Sequence, residues 1–341
     1  MIVHGPHAFD TGDVARLIPA LAPERLIVAG VMARTAAEEQ GIPFECPCKP
    51  PSAIIGEMQK EMRPYLVNYG KTPDSGRVFG EIIASRLPGD QGLVHIEISS
   101  GTIYLWNGGD RELATALAKS TGYALEYATA SPPENTEMRL IRGCRPGEPV
   151  FVNGTVIGFA TAETAVIESG NGTISAGSGL ILKPHGIEKV LRQGTPDLST
   201  AWCKSGAVRS VSPASGARGV QNGRIAVIDH AGHTIYDNVG CDVCGVLAIG
   251  DDTTAICGHI CSHHGLPVFG VVDGDGDGIV PPAFSPGSVV VRTLHERDDD
   301  VGAELALHVT GADYRWDTWV EEALGHLGNR ITIMIDRRYS S

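Results

Sequence analysis

No apolar run in this chain approaches the roughly 20 residues that a membrane-spanning helix needs, so a membrane protein is not expected. The opening Met1-Ile-Val-His-Gly-Pro6 has neither a basic segment nor an apolar one, so no secretory leader is expected. A cytoplasmic protein follows, and its 8 cysteines are then read as thiols, metal ligands or small buried hydrophobes rather than as a disulfide framework. Positive charge is in short supply. There are 27 Lys and Arg against 40 Asp and Glu, a net charge of −13, which argues against a broad grip on nucleic acid and leaves only a local basic face open. No internal repeat or low-complexity tract is present. No Gly-x-Gly-x-x-Gly follows the first strand, so a standard dinucleotide site is not supported. Gly70-Lys71-Thr72 suggests a phosphate loop, but Tyr65 stands where the Walker pattern needs its first glycine.

What remains is a chain of 341 residues, 42% hydrophobic, with 43 Gly and 21 Pro. That is enough apolar material for real cores, with many tight turns, in one large or two to three ordinary domains. Residues 1–135 alternate strand-like and helix-like segments and predict an N-terminal three-layer α/β domain. Val94–Ile98 and Thr102–Trp106 read as a hairpin, and Ser131–Asn135 as the linker. Residues 139–182 change to short strands, with Asn153-Gly154 and Asn171-Gly172 as hairpin turns, and predict a small antiparallel barrel or sandwich insert. Residues 183–341 predict a C-terminal parallel α/β domain.

In that last domain, Gly245–Gly250 and Leu266–Val272 are buried-type strands joined by a helix over Ala255–His264. Such a βαβ unit is right-handed with parallel strands, so both carboxyl ends lie on one edge, where open α/β sheets hold ligands. The edge carries Asp251, Asp252, Asp273, Asp275 and Asp277. Crowded carboxylates repel one another unless a cation or protons are shared among them. Asp273-x-Asp275-x-Asp277-Gly278 matches half of a calcium loop, but Phe284 occupies the position of the bidentate Glu and Pro281-Pro282 blocks the exit helix. The better reading is a Mg²⁺ site at strand ends, with Asp251, Asp273 and Asp275 holding the ion and acting in catalysis, and Asp252 and Asp277 in support. The plain alternative is a solvated glycine-rich turn.

Three further constellations arise. Cys241, Cys244, Cys261 and His264 come together in the βαβ geometry as a Cys₃His zinc set, though small buried hydrophobes are the commoner meaning of such cysteines. Glycine loops at Gly5, Gly30 and Gly70 each follow a strand, so Arg34, Lys71 and Thr72 are candidate phosphate ligands. His185 and Glu188 form a candidate acid/base pair within Lys183–Lys189, against the simpler reading of a solvated face.

Several strings together resemble an uncharacterised family of methanogenic archaea, a domain of unknown function. They are Val3-His-Gly-Pro6, Gly30-x-Met32-x-Arg34-Thr-Ala36, Gly70-Lys-Thr72, Lys183-x-His185-Gly-x-Glu188-Lys189, Gly250-Asp-Asp-Thr-Thr254 and Asp273-Gly-Asp-x-Asp-Gly278. The resemblance covers most of the chain and implies an archaeal, cytoplasmic setting without an activity. The Cys and His of 257–264 fall outside the pattern it implies. The acidic edge alone is also similar to Toprim-type folds, with Asp in place of their Glu, and the insert is faintly similar to PUA-type RNA-binding barrels. The expected function is thus a Mg²⁺-dependent enzyme acting on a phosphorylated small molecule or nucleotide. The alternatives are an RNA- or protein-binding protein using the insert and a thiol-metal (zinc) protein, with homo-oligomerisation left open.

Overall fold

Alternating apolar segments too short to bury themselves singly assemble here into two compact units, Met1–Ala207 and Val208–Ser341. The computed structural model describes residues 1–88, 91–130, 137–170, 172–192, 194–217 and 219–339. The linker at 131–135 and Asn171 of the second hairpin turn lie outside the described residues. Among them, no helix is long and apolar enough to cross a membrane.

The first unit opens with β1 (Ile2–His4), α1 (His7–Asp10), α2 (Asp13–Leu21), β2 (Ile27–Ala29), α3 (Val31–Glu39), α4 (Pro51–Met58), β3 (Leu66–Asn68), α5 (Pro73–Ser85), β4 (Leu93–Glu97), β5 (Thr102–Trp106), α6 (Arg111–Thr121) and β6 (Ala124–Ala128). Its sheet has the order β2-β1-β3-β4-β5-β6. β1 to β4 run parallel, and β4–β5 is the antiparallel pair the hairpin reading predicts. Buried side chains alternate between its faces. Val3, Val28, Val67 and Ile96 belong to one core, and Ile2, Ile27, Leu66 and Leu93 to another, so helices cover both sides in three layers.

The unit continues with β7 (Met138–Arg142), β8 (Pro149–Val152), β9 (Thr155–Ala160), β10 (Thr164–Gly170), β11 (Thr173–Ser178), β12 (Leu180–Leu182), α7 (Pro184–Arg192) and β13 (Cys203–Ser205). These strands form two antiparallel sheets, β11-β10-β7 and β12-β9-β8-β13, around one core. Asn153 and Gly154 both take positive φ, 48° and 88°, as the tight hairpin turn requires. The second unit therefore begins at Val208 rather than at residue 183. The reason is local: β13 hydrogen-bonds to β8, and Val190 of α7 is buried in the insert's core.

The second unit contains β14 (Asn222–Asp229), α8 (Ile235–Asn238), β15 (Val243–Ile249), α9 (Asp251–His263), β16 (Val268–Val272), β17 (Val289–Thr293), α10 (Asp298–Leu307), β18 (Tyr314–Arg315), α11 (Trp316–Leu327) and β19 (Ile331–Asp336). The sheet order is β18-β14-β15-β16-β17-β19, with β14 to β17 parallel. α9 starts at Asp251, four residues before the predicted start. Gly250 (φ 99°) turns the strand into the helix, and first-turn carboxylates suit the positive helix end. Gly245 in β15 lies under Trp316, and a Cβ there would stand 2.0 Å from the indole. Gly245→Ala is expected to destabilise this unit by about 3 kcal/mol, because the buried indole has nowhere to retreat. An unchanged urea midpoint would contradict that packing.

Candidate functional site

Because β14 to β17 are parallel, their carboxyl ends share one edge, and each end carries an ionisable group. His230 follows β14, with positive φ (49°). Asp251 and Asp252 follow β15 in the first turn of α9. The loop from Asp273 to Gly278 follows β16, and Asp298 to Asp300 open α10 after β17.

Carboxylate oxygens of Asp251, Asp273 and Asp298 lie within 4.8 Å of one another. Asp298 is fully buried. A second group, His230 with Asp298 and Asp299, meets the same criterion and shares Asp298. His230 Nδ1 is 2.5 Å from Asp229 and its Nε2 is 3.2 Å from Asp299, so carboxylates fix both ring nitrogens. Gly250 is required beneath the ring. A Cβ would stand 2.9 Å from His230 Nε2, at a φ that side chains rarely adopt.

The loop is shaped by Asp251. Its Oδ2 accepts from the amides of Asp273 (3.0 Å) and Gly274 (3.3 Å), and its Oδ1 from Gly276 (3.0 Å). Asp252 accepts from the Asp277 amide at 3.4 Å, and Asp273 from the Asp275 amide at 3.2 Å. Despite those donors, burial pushes the Asp251 carboxyl up to about 6, and the charges of Asp273 and Asp275 push the same way. Arg292, at the end of β17, runs over the loop, so that a Cβ on Gly274 would stand 2.9 Å from its Cδ. Among the described residues Arg292 has no carboxylate partner. Arg297 reaches Asp299 at 3.4 Å.

Of the predicted acids, the structure brings Asp251 and Asp273 together, with Asp252, Asp275 and Asp277 on the adjoining helix turn and loop. His230, Asp298 and Arg292 were not predicted. Each sits at the carboxyl end of a strand in the same parallel sheet, a placement set by strand order rather than by any local pattern.

The other predicted residues have local partners. Arg34 pairs with Glu38 at 2.9 Å. Lys71 forms an ion pair with Glu148 and donates to Ser205 Oγ at 2.8 Å. Thr72 caps α5, accepting from the Ser75 amide at 3.1 Å while Ser75 Oγ accepts from the Thr72 amide at 3.0 Å. His185 and Glu188 face each other on α7 at 4.0 Å. Cys241, Cys244, Cys261 and His264 form no three-ligand group among the described residues. Cys244 donates to the Gly223 carbonyl at 3.2 Å, and burial pushes the Cys257 and Cys261 thiols well up.

Comparison with known proteins adds the lineage. A family profile described as "Uncharacterized protein conserved in archaea (DUF2117)" matches residues 1–312. The chain is similar to "Uncharacterized protein MJ0065" of Methanocaldococcus jannaschii, 30% identical over 327 residues and covering 89% of each chain. No solved structure matches significantly.

Proposed function

The chain belongs to that archaeal family, and we propose that it is a Mg²⁺-dependent enzyme acting on a phosphorylated small molecule or nucleotide. The observation that carries this reading is the convergence of Asp251, Asp273 and Asp298 at the ends of three parallel strands. Three oxygen donors without sulfur suit a hard cation such as Mg²⁺ or Mn²⁺. An Asp251 that ionises near 6 is a carboxylate short of a counter-charge, which a cation supplies. When bound, the ion would polarise a phosphoryl oxygen. Arg292 would bind the remaining phosphate oxygens. His230, held between Asp229 and Asp299, would move the proton. Asp251 has a second task, since its three amide bonds hold the loop that presents Asp273.

Thermal denaturation with Mg²⁺, Mn²⁺ or Ca²⁺ tests the proposal. At a hundredfold excess over Kd, binding to the native state stabilises by about 2.7 kcal/mol. The Tm of wild type is expected to rise, and the rise should be absent in Asp251→Asn/Asp273→Asn. Identical curves for the two proteins would refute it.

A further inference from the structure

Arg139 is the most deeply buried arginine of the first unit at 8% exposure, and no carboxylate among the described residues pairs with it. It lies on β7 opposite Ile167, pointing to the same side as Ile141 of the insert's core. Arg142, three residues along the strand, shows what is missing: it pairs with Glu81 at 2.5 Å.

Arg86, which follows α5, brings a second positive charge into range of Arg139. Arg86 is exposed; its Nη2 donates to the carbonyls of Thr200 and Ala201, both at 3.3 Å, and among the described residues it too has no acid partner. Both guanidiniums act on Cys203 of β13, which is half-buried. Ser169, two residues along β10 from Ile167, shares the face of Arg139. A guanidinium cannot shed its proton, so two of them in mutual repulsion, one buried, need a counter-charge. Among the described residues no carboxylate forms an ion pair with either of them. Arg139 keeps 8% of its surface exposed, so the counter-charge can come from outside.

We propose that Arg86 and Arg139, with Cys203 and Ser169 beside them, form a binding site for a phosphate group, carried either by free phosphate or by a phosphate monoester. Planar guanidinium forks match phosphate oxygens, and two forks on one anion give both affinity and orientation. The site is independent of the acidic edge, which belongs to the other unit.

Calorimetric titration with inorganic phosphate, at ionic strength matched with chloride, tests the site. Wild type is expected to bind phosphate, and Arg139→Gln and Arg86→Gln should each weaken binding about tenfold or more. Cys203→Ala should stay within about twofold of wild type. Repeating the titration with glycerol phosphate tells a monoester site, which prefers it, from a free-phosphate site, which rejects it. Equal phosphate affinity in wild type and Arg139→Gln, or no binding above chloride, overturns the proposal. A second readout needs no variant. Alkylation of Cys203 by iodoacetamide, followed by peptide mass spectrometry, should slow about threefold in phosphate relative to chloride, because the anion covers the thiol and opposes its ionisation. The exposed Cys48 and Cys241 serve as controls and should not change. An unchanged rate at Cys203 likewise overturns the proposal.

Discussion

Glu97→Ala is expected to melt the first unit roughly 10 °C below wild type. Glu97 is fully buried at the end of β4, and its carboxylate accepts four bonds. The donors are the Gly70 amide (2.8 Å), the Ser99 amide (3.2 Å), the Ser99 hydroxyl (2.8 Å) and the Ser100 amide (2.7 Å). Alanine deletes the acceptor and leaves the donors in a space too confined for easy rearrangement. A Cβ on Gly70 would already stand 2.4 Å from the Gly76 amide, so the loop cannot move that way to find new partners. Breaking such a network costs about 3–5 kcal/mol. In a unit of about 200 residues that corresponds to roughly 2–4 °C per kcal/mol. Glu97→Gln keeps one acceptor oxygen and turns an N–H towards another donor, so it should fall between the two. Circular dichroism melts of the three proteins check this, and a Glu97→Ala melt within about 2 °C of wild type would contradict the network.

The loop that Glu97 anchors also shows how far a sequence can be read. The alternation of short apolar runs with amphipathic ones marked both α/β sheets, because period 2 and period 3.6 are local properties. The Val94–Trp106 hairpin and the βαβ unit around α9 were legible for the same reason. Thr72 was legible as a helix cap too, since Thr-Pro-Asp-Ser75 carries the cap and the reciprocal hydroxyl within four residues. The Gly-Lys-Thr string drew attention to a phosphate role instead. Lys71 meets Glu148, 77 residues away, and no local pattern announces that.

The acidic edge was half legible. Asp251 and Asp273 end neighbouring strands of one βαβ unit, so their meeting follows from handedness. Asp298 reads locally as a helix-start acid and His230 as part of a turn. They join the site only because β14 and β17 flank that unit in the sheet, and strand order is a tertiary property. Arg139 gives no local signal, since a charged residue on a short strand predicts exposure. Its burial is set by β10 pairing across the insert.

Metal binding should weaken as pH falls, with the change centred near 6. Asp251 retains its proton to about 6 in the folded protein, well above the ordinary carboxylate value of 3.8. In the metal-free protein the sign is as follows. Between about pH 4 and 6 the unfolded chain has released this proton and the folded chain has not, so stability declines as pH rises through that window. A cation reverses the balance, because it binds the ionised carboxylate and expels the proton. Below 6 the Mg²⁺ or Mn²⁺ affinity is therefore expected to drop by about tenfold per pH unit for the one proton displaced, and above 7 it should level off. Calorimetry at pH 7 and pH 5 reads the affinity directly, and two buffers of different ionisation enthalpy at pH 5 count the proton. Asp251→Asn should bind weakly at both pH values and release no proton. A wild-type affinity that is equal at pH 5 and pH 7 would mean that Asp251 is not a ligand. Its carboxylate would then serve only to tie the amides of Asp273, Gly274 and Gly276.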